Sequence, residues 1–216
     1  MKKRGPKPKF TREQLVDVSF ELVTEAGLEG LTLTRLAATV GTSPSALYRY
    51  FPNKEALLVD LQERAVASLL NRLEARVAGW EAQRASALAR VVGVFGVWRE
   101  WAAEAPAEHR LLDAFLSAPG PLLSEESARR VDGALQPVFA VIERVLEEAA
   151  SAGALWPGDA RQRVYVAWAA LHGLDHMRKR DRIQPTRLQT PALERALYGV
   201  LLRGWGASRQ LVQAAL

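Results

Sequence analysis

Apolar residues recur at three- and four-residue steps along almost the whole of this chain, and no convincing apolar–polar alternation or hairpin turn signal interrupts them. A helix repeats roughly every 3.6 residues and a strand every two, so this spacing confines the fold to packed helices. Leu15, Val18, Leu22 and Ala26 form one stripe, preceded by the capping-box pattern Thr11-Arg12-Glu13-Gln14 and followed by Gly27 as a stop. Thr32 can cap a short second helix running to about Val40. Gly41-Thr42 then turns the chain, and a third helix is expected from about Ser43 to Tyr50. Pro44 falls in its first turn, where a missing N–H is no loss. Asn53 can cap a long fourth helix carrying Leu57, Leu61, Ala65 and Leu69.

Past Gly79 all six tryptophans appear and the expected helices lengthen. Leu88, Val91, Val92, Phe95 and Trp98 mark one over about 84–104. Pro106 opens a shorter one to about Ala118, broken by Pro119-Gly120-Pro121. Val131, Leu135, Val138, Ile142, Val145 and Ala149 keep four- and three-residue steps through a long helix. After a loop at 153–158, helices over about 159–180 and 191–205 complete the chain, the last opened by Thr190-Pro191. The expectation is an all-α protein of about nine helices. It divides into a flexible basic arm (1–10), a three-helix N-terminal domain (11–56) and a C-terminal helical bundle (57–216).

Several function classes fall away. With no cysteine, disulfides and thiolate metal sites are excluded. No apolar run approaches the roughly 18 residues needed to cross a bilayer, and the start lacks a signal-peptide stretch, so a soluble cytoplasmic protein is expected. There is no glycine-rich phosphate loop and no recognisable nucleophile–base pair, so no catalytic residue, no cofactor and no enzyme are expected. His172 and His176 stand one helical turn apart, a spacing that can hold zinc, but no third ligand stands out and no metal is expected. The net charge of +5 is concentrated at the start, where Lys2, Lys3, Arg4, Lys7, Lys9 and Arg12 occur without an acid. A basic arm beside a folded domain is a footprint of nucleic-acid binding, although it also serves as a solubilising tail.

The segment from Leu33 to Tyr50 has helix-turn-helix spacing. A small residue must sit where two steeply crossing helices touch, and Ala37 is there. A left-handed backbone is needed at the turn, and Gly41 comes four positions later. Leu36, Val40 and Leu47 are placed to fill the wedge between the helices. A recognition helix enters the major groove by its N-terminal residues, which puts Thr42, Ser43, Pro44 and Ser45 at base edges. Pro44 can pack on a thymine methyl and the hydroxyls can donate or accept. Arg49 can pair with guanine or, from its place near the helix end, with a phosphate. Thr32, Tyr48, Tyr50 and Lys54 read as phosphate contacts that position the helix. Tyr50 equally fits a core role, Lys54 a solvated surface and Thr32 a cap alone.

Gly30-Leu31-Thr32 through Leu58 resembles the DNA-binding domain of the tetracycline-repressor (TetR) family, above all in Leu47-Tyr48-Arg49-Tyr50-Phe51-Pro52-Asn53-Lys54-Glu55-Ala56-Leu57. The resemblance supports phosphate roles for Tyr48, Tyr50 and Lys54. Thr42 stands where the family usually has an aliphatic residue. Thr34 stands where many members have arginine, so the base contact there is lost or replaced. Lys3, Arg4, Lys7 and Lys9 form the arm; Arg4 and Lys7 would either enter an adjacent A·T-rich minor groove or bind phosphates diffusely.

The resemblance further implies a homodimer through the last two long helices. Val164, Trp168, Leu171, Leu193, Leu197, Val200 and Leu201 alternate there with small Ala170, Gly173, Ala196 and Gly199. It also implies a pocket in the bundle for a small-molecule effector of unspecified identity, with Phe95, Trp98, Phe115, Phe139, Trp168 and His172 as candidate lining, although ordinary core packing fits each of these too. The expected function is a sequence-specific regulator of transcription that binds double-stranded DNA, a repressor released from a palindromic operator by its effector. The competing reading is a DNA-binding adaptor controlled by a protein partner without a small ligand.

Overall fold

The computed structural model describes residues 10–117 and 122–216. Arm residues Lys3, Arg4, Lys7 and Lys9 and the expected break at Pro119-Gly120-Pro121 lie outside the described residues. Among those described there is no strand. The helices are α1 (Arg12–Ala26), α2 (Leu33–Thr39), α3 (Pro44–Leu47), α4 (Lys54–Ala82), α5 (Ala87–Glu104), α6 (Pro106–Ser117), α7 (Glu125–Ser151), α8 (Ala160–Met177), α9 (Thr190–Gly204) and α10 (Arg209–Ala215). Two 3-10 segments, Arg178–Ile183 and Thr186–Leu188, lie between α8 and α9.

Local chemistry accounts for most helix ends. The Thr11 hydroxyl accepts from the Gln14 amide at 3.1 Å, and the Gln14 side chain accepts from the Thr11 amide at 2.9 Å, closing the capping box. The Asn53 side chain accepts from the Ala56 amide at 2.8 Å at the start of α4. Two expectations are corrected. The third helix ends at Leu47 rather than Tyr50, because the amides of Tyr50 and Phe51 both turn back onto the Leu47 carbonyl, at 2.8 and 2.9 Å. Pro52 also disfavours helical backbone at Phe51. A tenth helix, α10, follows the nine expected, with the Ser208 hydroxyl accepting from the Leu211 amide at 3.2 Å. Seven residues are too few for its periodicity to show.

The chain forms two compact units: residues up to Ser68 with Trp101–Leu135, and Leu69–Glu100 with Gln136–Leu216. The single division expected after residue 56 does not follow these bounds. At 29 residues, α4 is longer than one small core can cover, since a helix rises about 1.5 Å per residue.

In the first unit, Leu15, Leu31, Leu36, Ala37, Leu47, Phe51, Leu57 and Leu61 are fully buried in one cluster with Leu111 of α6 and Val131 of α7. Each such leucine contributes roughly 1.5–3 kcal/mol on burial. The buried face of α1 is Leu15, Val16, Ser19, Leu22 and Val23, so the stripe is broader than expected and Val18 is only half-buried. Ser19 is accommodated because its hydroxyl donates to the Leu15 carbonyl at 2.7 Å.

The second unit is built on Leu73 and Val77 of α4, Leu88, Val91 and Val94 of α5, Val138, Val145 and Ala149 of α7, and Val164 and Ala167 of α8. A Cβ at Gly93 of α5 would stand 2.6 Å from the Trp80 ring, so the absent side chain lets that indole lie against the helix. α9 and α10 add Tyr198, Leu202 and Val212.

Candidate nucleic-acid interface

Two short helices and the turn between them carry the residues expected to face DNA. The Thr32 hydroxyl accepts from the Arg35 amide at 3.1 Å and starts α2. At its other end Gly41 adopts φ 64°. The Gly41 amide donates to Ala38 at 3.2 Å and the Thr42 amide to Ala37 at 2.9 Å, the paired reverse bonds of a Schellman ending. Those bonds satisfy the last carbonyls of α2 and redirect the chain into α3. Leu36, Ala37 and Leu47 are completely buried at the crossing, as the spacing requires, and Val40 is half-buried.

Thr34, Ser43, Pro44, Ser45, Tyr48 and Arg49 are exposed, while Thr42 is half-buried. Ser43 caps α3, its hydroxyl accepting from the Ala46 amide at 3.3 Å. The two hydroxyls of Ser43 and Ser45 lie 2.9 Å apart, so one donates to the other. One proton is consumed between them; the second, with the remaining lone pairs, is available to an outside partner. This pair sits beside Pro44, so a small surface offers a hydroxyl donor next to an apolar ring.

The phosphate candidates are in unequal states. Tyr48 is 54% exposed. Tyr50 is half-buried and its hydroxyl donates to the Phe10 carbonyl at 2.8 Å, so its proton is already committed inside the protein. The Lys54 ammonium donates to the Leu28 carbonyl at 3.3 Å and has further protons to offer a phosphate. Thr32 is exposed as well as capping.

The sequence places Arg12 in the N-terminal run of positive charge and in the capping box of the first helix, and marks no partner for it. Its guanidinium takes both carboxylate oxygens of Asp60, Nη2 at 2.9 Å from Oδ1, and its Nη1 donates to the Tyr50 carbonyl at 2.7 Å. Its hydrogen bond to Asp60 holds the Arg12 pKa above the ordinary arginine value. No spacing rule connects residues 12, 50 and 60; only the fold brings them together.

In the second unit, Phe139, Trp168, His172 and Trp98 form a chain of ring contacts, with centroids 5.5, 5.3 and 4.8 Å apart. Phe95 is buried and stacks on Tyr198 at 6.5 Å. Phe115 is not among these residues: it belongs to the first unit and packs on that core. Its spacing from Leu111 puts both on one face of α6. A cleft of about 30 Å³ lined by Phe95, Trp98, Leu171 and Leu174 ends at the ion pair of Arg99 with buried Glu194. A groove of about 310 Å³, which also includes Arg99 and Glu194, is lined by Val92, Pro191, Arg195 and Tyr198. Burial, then the hydrogen bond to Glu194, pushes the Tyr198 phenol above its usual range.

Val166, Ala169, Gly173 and Met177 lie on the exposed face of α8, and Ala196 and Val200 on that of α9. Val164 turns inward, so the outward stripe is displaced by about two residues from the one that the sequence suggested. No described helix is long and apolar enough to cross a membrane.

Comparisons with known proteins bear on the family and the fold. Residues 15–61 match the family model for bacterial regulatory proteins of the tetR family, and residues 91–198 match the tetracyclin repressor-like C-terminal domain. The HTH-type transcriptional repressor DrrR1 of Streptomyces coeruleorubidus is 38% identical over 79 residues, 37% of this chain and 29% of that one. The chain thus aligns with less than a third of that relative's length. A solved structure from Rhodococcus sp. RHA1, described as a protein with unknown function, has a TM-score of 0.71 at 25% identity, covering 94% of this chain and 99% of that one. The transcriptional regulator FadR of Bacillus subtilis, solved with stearoyl-CoA, has a TM-score of 0.66 at 18% identity over 90% and 99% of the two chains, a likeness of fold alone.

Proposed function

Because this chain belongs to the TetR family of bacterial regulatory proteins, we propose that it is a repressor, released from a palindromic operator by a small-molecule effector. The observation that carries this is the Schellman turn at Gly41, which presents Ser43, Pro44 and Ser45 at the open N-terminal end of α3. Thr34 and Arg49 complete the base-reading set, and Thr32, Tyr48 and Lys54 the phosphate set. Tyr50 serves as a brace, since its hydroxyl is committed to Phe10. Lys3, Arg4, Lys7 and Lys9 add a basic arm.

One such helix covers too few base pairs for useful specificity, so pairing is needed. The exposed apolar faces of α8 and α9 fit a two-fold homodimer contact, in which one patch meets its own copy. Its recognition helices would then address half-sites about 34–36 Å apart. The effector reading places a ligand beside Phe95, Trp98, Trp168 and His172. The stearoyl-CoA in FadR shows what one protein of this fold holds. A cleft of about 30 Å³ holds little more than a water, so a ligand there requires side chains such as Arg99 to move. The compact units also suggest that the DNA-reading body extends past residue 56 into α6 and the start of α7.

Selection of bound duplexes from a random pool, repeated with candidate small molecules, tests the reading. A two-fold-symmetric consensus whose recovery falls with one class of molecule is expected. An asymmetric consensus, or no preference over bulk competitor at modest salt, would overturn it. A symmetric consensus that only a protein partner relieves would favour the adaptor.

A further inference from the structure

Arg12 is the sole member of the N-terminal run of positive charge that the structure describes, and its bonding runs against a role on the DNA backbone. An arginine offers five N–H groups in a rigid fork. Here Nε and Nη2 grip the two oxygens of Asp60, Nη1 donates to the Tyr50 carbonyl at 2.7 Å, and the guanidinium lies 4.8 Å from the Phe51 ring centre. Three of the five N–H groups and one face are thus engaged with the residues that follow α3, while the side chain stays 47% exposed. The engagement is reciprocal, because the Tyr50 hydroxyl returns a bond to the Phe10 carbonyl at 2.8 Å. Two crossed bonds therefore tie the start of α1 to the segment leaving the recognition helix.

Asp60 is itself shared. The side chain of Arg130, on α7, grips Glu63 with bonds of 2.6 and 2.7 Å, and its Nη2 lies 3.8 Å from the Asp60 Oδ1 that Arg12 holds at 2.9 Å. Asp60 is only 11% exposed, so its charge is screened less than that of an open surface carboxylate. A small approach by Arg130 would make it a direct competitor for that oxygen. Arg12, Asp60, Glu63 and Arg130 contribute to the lining of an open cleft of about 350 Å³.

We propose that Arg12 is a positioning residue for DNA reading, clamped by Asp60 onto the Tyr50–Phe51 segment, and that Arg130 of α7 tunes this clamp. The proposal rests on the DNA-binding reading above. Arg12→Gln removes the fork, and Arg12→Lys keeps the charge but lacks the planar fork that grips both Asp60 oxygens while reaching the Tyr50 carbonyl. Arg130→Gln leaves Arg12 in place.

The test measures affinity of the full-length protein for its selected operator as a function of salt, with circular dichroism as a check on folding. Arg12→Gln and Arg12→Lys should both weaken binding at least tenfold with the slope of log affinity against log salt unchanged. A phosphate contact would instead flatten that slope by about 0.9 per charge removed and would be largely restored by lysine. Arg130→Gln should change affinity two- to fivefold in the wild-type background and not at all in the Arg12→Gln background. A flattened slope for Arg12→Gln, rescue by lysine, or equal effects of Arg130→Gln in both backgrounds would each overturn the proposal. Should the Arg12 variants fail to fold, hydrogen exchange at the amides of residues 48–51 and 53 decides: faster exchange in Arg130→Gln supports the clamp, and no change refutes it. If the wild-type protein itself prefers no duplex, the DNA-binding reading has failed rather than the clamp.

Discussion

Substituting Gly41 separates a demand of the backbone from a demand of packing. This residue holds φ at 64°, and beyond its two chain neighbours no described atom lies within 4 Å of where a Cβ would stand. A side chain there meets open space, so its cost is confined to the left-handed backbone, roughly 1–2 kcal/mol for an ordinary residue. Stiffening of the unfolded chain by an added Cβ offsets about 0.4–1 kcal/mol of that. Gly41→Ala should therefore destabilise by about 1 kcal/mol. Gly41→Asn should lose less, because asparagine tolerates this conformation, and Gly41→Val should lose most, about 2 kcal/mol, because β-branching tightens the backbone further. Urea unfolding followed by circular dichroism, at one fixed protein concentration, measures the series. The midpoints should fall in that order with an unchanged slope, and operator affinity should fall in the same order. A loss above about 3 kcal/mol for alanine, or equal losses for asparagine and valine, would refute the reasoning by revealing a steric demand that the open space denies.

Other outcomes follow from the same geometry. Tyr48→Phe should weaken all operator sequences alike by about 1 kcal/mol, the scale of one hydrogen bond, without changing base preference in a selection experiment. Lys54→Ala should flatten the salt dependence of DNA affinity by about 0.9 in slope. Arg99→Ala removes the cation beside the Glu194 carboxylate, whose side chain is 8% exposed, and leaves it only the Tyr198 hydroxyl; a loss of about 2 kcal/mol in urea unfolding is expected, discounted because Arg99 is half exposed, with partial recovery on adding Glu194→Gln. Tyr198 keeps its proton in the folded chain to higher pH than in the unfolded one. Stability should be undiminished by this group below about pH 10 and decline as pH rises beyond it, a decline that Tyr198→Phe should flatten.

Much was legible in the residues alone, wherever the governing interaction is local. The caps at Thr11, Thr32 and Asn53, the left-handed Gly41 and the helical class all depend on bonds spanning a few positions, and short spacing records such bonds. Periodicity likewise identified Val131, Leu135, Val138, Val145 and Ala149 as buried along α7, because one face of a helix recurs at a fixed step. The end of α3 at Leu47 and the existence of α10 were not legible, since each turns on one or two hydrogen bonds in a stretch too short to carry a period.

Tertiary structure alone decided which residues meet across long separations. Asp60 lies 48 positions from Arg12, and nothing in either neighbourhood marks them as partners. Phe115 and Phe139 look equally suited to one aromatic site, yet α6 commits the first to a different core. The same holds for Tyr50, whose hydroxyl reaches back 40 positions to Phe10. Backbone preference and amphipathic repeat act within a turn or two of helix, whereas the choice among chemically equivalent partners is made only when the helices pack.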